Sequence, residues 1–230
     1  MIKNKTFEYY CFFDVDETVT QNKTLFDFYY FALNKKYGRL IGQIIAFKQN
    51  ILLKLFSKFG ASRETINQLY CHFYKGWNES DLAEIASAWI ELKMKNPQHF
   101  FRPEILNEIT KHKNRNAGIV FVSGSPEILI EQIARHLGAH HVIATKLIVK
   151  DGHFTGNNAL PTVIGEGKAR RIKKFCAEKD FHCLNKCHAY GDHISDASML
   201  SIVGHPSAIV KDKKFKCFAQ ARKWRIIEVK

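Results

Sequence analysis

The spacing of apolar residues changes twice along this chain. Tyr9 to Phe13 is a continuous apolar and aromatic run, which predicts a buried first strand over residues 7–13. From about Leu25 to Phe101 the period becomes helical, with no clear strand. Leu40, Ile41, Ile44, Ile45, Ile51, Leu52, Leu55, Phe56 and Phe59 recur near i, i+4, i+7. Arg39, Lys48, Lys54 and Lys58 fall mainly on the other side, so a basic amphipathic helix is predicted, its apolar stripe packed inside a small bundle. A lipid-facing or substrate-facing surface is the alternative use of that stripe. Further helices are expected at 62–75 and 80–95, before Asn96-Pro97 breaks the pattern.

After Arg102-Pro103 helices and strands alternate. A helix at 104–113 precedes the strand Gly118–Val122, and Ser123-Gly124-Ser125-Pro126 follows, with Ser125 expected as a helix cap and Pro126 at the first helical position. That helix runs from Glu127 to Leu137 and stops at Gly138. A short strand at 142–145 and a hairpin from Leu147 to Phe154, bent at Asp151-Gly152, come next. Gly165-Glu166-Gly167-Lys168 opens a basic helix to about Lys179. A strand before Asp192, a helix at 195–203, a strand at Ala208–Val210 and a terminal helix finish the series. The architecture predicted is a parallel α/β core (1–20 and 102–230) with a helical insertion over 21–101.

Composition narrows the class. With 230 residues, 46% hydrophobic and 25% charged, the chain has the profile of a globular domain able to bury a core. No apolar run approaches the roughly 20 residues that span a bilayer. The start, Met1-Ile2-Lys3-Asn4-Lys5, lacks the apolar segment of a signal peptide, so cytoplasm is expected. Six scattered cysteines then suggest free thiols. Cys176, Cys183 and Cys187 crowd near His182 and His188, but without the paired Cys-x-x-Cys of a structural zinc site. Net charge of +13 implies attraction to polyanions, whether phosphorylated metabolites, nucleic acid or an anionic membrane surface.

Two segments concentrate the chemistry: Asp14-Val15-Asp16-Glu17-Thr18 and Gly191-Asp192-His193-Ile194-Ser195-Asp196. Each closes an apolar run, which puts its carboxylates at the carboxyl end of a buried strand, where open α/β sheets bind ligands. A period of two lets Asp14 and Asp16 point the same way. Several carboxylates converging there suit a hard dication such as Mg²⁺.

In order along the chain, Asp14-x-Asp16-x-Thr18, Ser123-Gly124-Ser125, Lys168 and Gly191-Asp192-x-x-Ser195-Asp196 resemble the motifs of the haloacid dehalogenase superfamily. The nearer likeness is to its subfamily IB hydrolases, which look like phosphoserine phosphatase. Arg102-Pro103-Glu104, Asp151-Gly152-x-Phe154-Thr155-Gly156 and Gly165-Glu166-Gly167-Lys168-Ala169 add to it. The resemblance implies a Rossmann-like parallel sheet with a helical C1-type cap inserted after the first strand. It further implies a Mg²⁺-dependent phosphomonoester phosphatase working through an aspartyl-phosphate. Asp14 would be the nucleophile and Asp16 the general acid and base. Thr18, Ser123, Gly124 and Lys168 would hold the phosphate, with Lys168 also catalytic in neutralising its charge. Asp14, Asp16 (through its backbone carbonyl), Asp192 and Asp196 would serve the metal.

Departures bear on the substrate. Glu17 stands where many relatives carry a small residue, an extra carboxylate beside the metal loop. Lys23 occupies a position where phosphoserine phosphatases place an acid for the substrate's amino group, which argues against phosphoserine. A small anionic phosphorylated metabolite or a lipid head group is expected instead, with transient membrane-surface contact left open. His193 either meets substrate or fills its loop. The same core also serves phosphotransferases and phosphomutases. A non-catalytic basic protein binding nucleic acid or membrane is the reading from another class; nucleic acid is disfavoured because the aromatics of 26–31 read as cap core.

Overall fold

The computed structural model describes residues 7–229. The N-terminal residues used in the sequence argument about signal peptides lie outside the described residues.

Strand β1 (Tyr10–Asp14) is followed by the tight loop Val15–Val19 and four helices: α1 (Thr24–Tyr37), α2 (Arg39–Lys58), α3 (Arg63–His72) and α4 (Glu79–Lys93). Then come α5 (Pro103–Asn114), β2 (Gly118–Pro126), α6 (Glu127–Leu137), β3 (His141–Thr145), β4 (Leu147–Lys150) and β5 (His153–Asn158). The chain closes with α7 (Glu166–Glu178), β6 (His188–Gly191), α8 (Ala197–Ser201), β7 (His205–Val210), α9 (Lys213–Ala221) and β8 (Arg225–Glu228).

Six strands form one parallel sheet in the order β3-β2-β1-β6-β7-β8. This is the doubly wound, Rossmann-like arrangement, and its topological switch point lies between β1 and β6. β1 is the central strand, buried on both faces: Cys11 and Phe13 join one apolar cluster, Tyr10 and Phe12 the other. That explains its continuous rather than alternating apolar run. Asp14 and Asp192 sit just at the carboxyl ends of these two neighbouring strands.

The helical insertion is tied down where it leaves and rejoins the core. Thr20 and Phe101 form an antiparallel bridge, and the Arg102 amide donates to the Val19 carbonyl at 3.0 Å. Its helices begin where the side chains allow. Ser62 caps α3 by accepting from the Thr65 amide, and Asn78 caps α4 by accepting from the Ser80 amide. The antiparallel β4–β5 hairpin leans back against the insertion, its Phe154 carbonyl accepting from the Gly76 amide at 2.8 Å.

Three expectations from the sequence are corrected. The apolar stripe of α2 does not pack inside the bundle as a whole: Gly42, Ala46 and Leu53 of that helix are buried and Ile45 is half-buried, while most of its large side chains face outward. The small residues win the inner face because α1 comes so close that a Cβ on Gly42 would stand 2.9 Å from the Leu33 carbonyl carbon. Ser125 is not a helix cap. β2 continues to Pro126, which pairs with Thr145, and the Ser125 hydroxyl turns to Asp16 instead. The terminal helix does not end the fold either, since β8 adds an edge strand beside β7. Four half-exposed residues carry too little periodicity to announce it.

Candidate active site

A cavity of about 510 Å³ lies between the carboxyl edge of the sheet and the helical insertion. Asp14, Asp16, Gly124, Lys168, Asp192 and Asp196 all line it, so four segments far apart in sequence converge. Thr18 and Ser123 are fully buried behind this wall.

Lys168 is the hub. Its Nζ lies 2.5 Å from Asp14 Oδ1 and 2.6 Å from Asp196 Oδ1, all three side chains being buried. Two glycines make that approach possible. A Cβ on Gly167 would collide with the Thr162 carbonyl oxygen at 1.8 Å, and one on Gly191 would meet Asp196 Cβ at 2.6 Å. Burial works against the charged ammonium, but Asp14 and Asp196 outweigh it and hold Lys168 protonated beyond its ordinary range. Burial likewise pushes the Asp14 carboxyl well up; Lys168 pulls it back, while Asp196, Asp192 and Asp16 push the same way as burial. Five carboxyl side chains, Asp14, Asp16, Glu17, Asp192 and Asp196, line the cavity against Lys23, Arg63 and Lys168. Asp14, Asp192 and Asp196 each bring a carboxylate oxygen to within 4.8 Å of the others, a donor set of the hard-oxygen kind that fits a dication.

Asp16 stands apart from that trio. One carboxylate oxygen accepts from both the amide and the hydroxyl of Thr24 at 2.6 Å, and the other accepts from Ser123 (3.1 Å) and Ser125 (2.7 Å). Thr24 is the first residue of α1, so the insertion itself orients this carboxylate. Thr18 donates to Asp192 Oδ1 at 3.2 Å; it braces the second acidic segment rather than lining the cavity.

Lys211 and Asn67 were not singled out from sequence, and Arg102, Glu17 and His193 were named without these contacts. Lys211 places its Nζ 2.7 Å from Asp192 Oδ2 and 3.2 Å from Glu17 Oε1. Its position directly after β7, at the same edge of the sheet, was the available signal. Arg102 donates from Nε to the Glu17 carbonyl at 3.1 Å, pinning a residue whose φ of 61° is costly for a side chain other than glycine. The Glu17 carboxylate is not free charge beside the loop. Burial raises its pKa, but Lys211 and Lys23 more than offset this and keep it ionised and paired. Asn67, buried on α3, donates to the Gly124 carbonyl at 2.9 Å, while its Oδ1 has no hydrogen-bond partner among the described residues. His193 meets the insertion, lying 2.6 Å from Arg63 Nη1; burial and that guanidinium lower its pKa.

Comparison with known proteins agrees with this geometry. The family model of the haloacid dehalogenase-like hydrolases matches residues 11–201. A probable phosphatase of Mycobacterium tuberculosis (strain ATCC 25618 / H37Rv) is 31% identical over 221 residues, covering 94% of this chain and 74% of the relative. Among solved structures, a Bordetella pertussis Tohama I protein of unknown function superposes with a TM-score of 0.84 at 22% identity, covering 96% of this chain and 99% of that one. A phosphoserine phosphatase trapped as a phospho-aspartyl intermediate analogue superposes with a TM-score of 0.62 at 20% identity, covering 96% and 93%. The matched segment holds every element of the carboxylate–lysine pocket, and the chain belongs to the haloacid dehalogenase-like hydrolases.

Proposed function

We propose that this protein is a Mg²⁺-dependent phosphomonoester phosphatase in which Asp14 is the nucleophile. The observation that carries the reading is the Asp14–Lys168–Asp196 contact at the floor of the cavity, with a second carboxylate, Asp16, held ready by Thr24. An Asp14 oxygen attacks phosphorus, forming an aspartyl-phosphate as the ester P–O bond breaks. Asp16 delivers a proton to the departing alkoxide, then takes one from the water that hydrolyses the acyl phosphate and frees Asp14. Its four hydrogen bonds fix the carboxylate between the end of β2 and the first turn of α1, so the insertion helps to set the position of the proton-transfer group. Lys168 offsets charge on the transferring phosphoryl group and holds Asp14 in line. Mg²⁺ held by Asp14, Asp192 and Asp196 would add Lewis-acid neutralisation of the phosphate oxygens.

The cavity also supports a view of the substrate. Among the described residues, its insertion side offers Lys23 and Arg63 with Leu25, Phe26, Ile66 and Tyr70, the acidic side chains of the lining all coming from the core. That wall suits an anionic or apolar leaving group better than an ammonium, in keeping with the position of Lys23. The phosphoserine phosphatases among its structural neighbours thus share the fold without naming the substrate. The six cysteines are unpaired, as in a reducing compartment such as the cytoplasm.

The experiment is phosphate release from a panel of phosphorylated metabolites, with Mg²⁺ and then with EDTA, wild type beside Asp14→Asn. Release that needs Mg²⁺ and disappears in the variant is expected. An added acceptor alcohol distinguishes hydrolysis from phosphoryl transfer. Undiminished turnover in Asp14→Asn would overturn the mechanism.

A further inference from the structure

The outer face of α2 is an unpartnered apolar surface of unusual charge. Leu40, Ile44, Phe47, Ile51, Leu55 and Phe59 follow one another along a single side of the helix, all exposed, with Leu40 at 77%, Phe47 at 67% and Phe59 at 84%. Side chains of this size normally seek a core, and a contiguous exposed patch of them marks a contact surface. The inner face explains why no core takes them. Gly42 and Ala46 pack against α1, and Gln49 accepts a hydrogen bond from Tyr29 at 2.8 Å. Lysines 48, 54 and 58 are exposed on this same outward half, not opposite it as the helical period alone suggested. From Asp27 to Glu64 the chain has no acidic residue between these two and seven Lys or Arg.

The geometry points to an anionic lipid bilayer as the partner of this face, and to a phosphomonoester carried on that bilayer as the substrate; the second half rests on the phosphatase reading above. Apolar side chains interleaved with lysines, over 20 residues and about 30 Å of helix, match a helix lying in the membrane interface. Its apolar side chains enter the acyl boundary while the lysine stems reach back to headgroup phosphates. A second copy of the chain is a poor partner, because two such faces would bring cations against cations with no acid to meet them. No helix among the described residues is long and apolar enough to cross a membrane, so the contact is a docking one. The candidate-site cavity reaches the C-terminal end of this helix. Ser57 and Ala61, which bracket Phe59, line it, and its wall continues through Leu25, Phe26, Ile66 and Tyr70. A lipid phosphomonoester can set its phosphate at Asp14 and Lys168 while its apolar portion follows that wall toward the docked helix.

The test uses the whole protein and the double variant Phe47→Glu/Ile51→Glu, both positions being exposed and remote from the carboxylates. Binding is read by co-sedimentation with phosphatidylcholine vesicles containing or lacking phosphatidylglycerol. Turnover is read on vesicles containing phosphatidic acid and, in solution, on p-nitrophenyl phosphate. The expected result is binding that requires phosphatidylglycerol and weakens with salt. The double variant should bind about 100-fold more weakly, from losing two buried apolar side chains. Phosphate release from phosphatidic acid should fall in step, with p-nitrophenyl phosphate hydrolysis unchanged. Wild type that hydrolyses p-nitrophenyl phosphate yet ignores both vesicles overturns the lipid proposal alone. A wild-type dimer that the double variant dissociates, without vesicle binding, overturns it in favour of self-association. Failure to hydrolyse any phosphomonoester strikes the phosphatase reading, whatever the vesicles show.

Discussion

Two ionic clusters built on buried carboxylates stand out among the described residues, and they are balanced differently. At the candidate site three aspartates, Asp14, Asp192 and Asp196, share the ammonium groups of Lys168 and Lys211, and a fourth, Asp16, meets only hydroxyl and amide donors. In the second, packed between α5 and the sheet, one carboxylate, Glu108, has every direction filled. Oε1 accepts from Lys111 at 2.9 Å and Arg225 at 3.1 Å; Oε2 accepts from Tyr190 at 2.9 Å and Arg225 at 2.6 Å. The Arg225 hydrogen bond leads the causes that bring the Glu108 pKa down to about 2, with burial opposing it. The first cluster keeps unneutralised negative charge at an open cavity; the second is closed on itself. A surplus of one sign in a buried pocket costs stability unless something arrives to relieve it, so the surplus marks the functional pole and the closed network the structural one.

The sharpest way to break this comparison is to remove the central cation of the first cluster. Lys168→Met should cut turnover by about 10²–10³-fold, the scale of losing one charge-stabilising group in a preorganised site. Circular dichroism should show the fold retained. Steady-state kinetics with saturating Mg²⁺ would check it, and turnover near wild type would remove Lys168 from the chemistry. The matching change in the second cluster is Glu108→Gln. Arg225 and Lys111 are more than half exposed and can turn to water. Gln keeps a single oxygen, so either the buried Tyr190 hydroxyl or the Lys111 and Arg225 donors on the other side face an N–H, and a loss of about 2 kcal/mol is expected. Urea titration would measure it, and kcat should stay within about threefold of wild type if the network is structural.

The two poles were not equally legible in the sequence. The convergence of the first was: Asp14, Asp16, Lys168, Asp192 and Asp196 all sit where an apolar run or a Gly-rich turn ends, and the sheet's edge brings such ends together at one cavity. Residues that act by crossing between elements were not. Lys211 and Asn67 look like ordinary polar residues until β7 and α3 are laid beside the acidic loops, and Arg102, named only as part of a motif, shows its contact with Glu17 only in the fold. Ser125 was visible but misassigned, since a hydroxyl before proline serves equally as a cap or as a donor to a carboxylate 109 residues away. The outward stripe of α2 shows the same limit. Helical period reveals that a face is apolar, whereas its direction depends on which neighbour, here α1 against Gly42, comes closest.

The smallest expected effect lies in the acid range and again separates the two poles. Tyr190 spends its proton on Glu108, so it must accept from His112 Nε2–H, 2.7 Å away. His112 Nδ1 is then the acceptor for the Tyr9 hydroxyl at 3.0 Å, which fixes the neutral tautomer. Burial lowers the His112 pKa to about 4, with Arg115, Arg225 and Lys111 adding to it against Glu108; protonation would also leave the Tyr9 hydroxyl facing N–H. The unfolded chain takes up this proton near pH 6.5, before the folded one does. Stability contributed by the neutral imidazole is therefore intact above pH 6.5 and lost as pH falls toward 4, about 1–2 kcal/mol by pH 5. His188, tilted against His112 with ring centroids 4.5 Å apart and its pKa likewise lowered by burial to about 4, acts in the same direction. Thermal unfolding at pH 7, 6 and 5 should show the decline, and His112→Gln, which keeps a donor and an acceptor but cannot titrate, should flatten it. An equal slope in His112→Gln would mean that the acid sensitivity arises elsewhere, and that the second cluster is less closed than its hydrogen bonds imply.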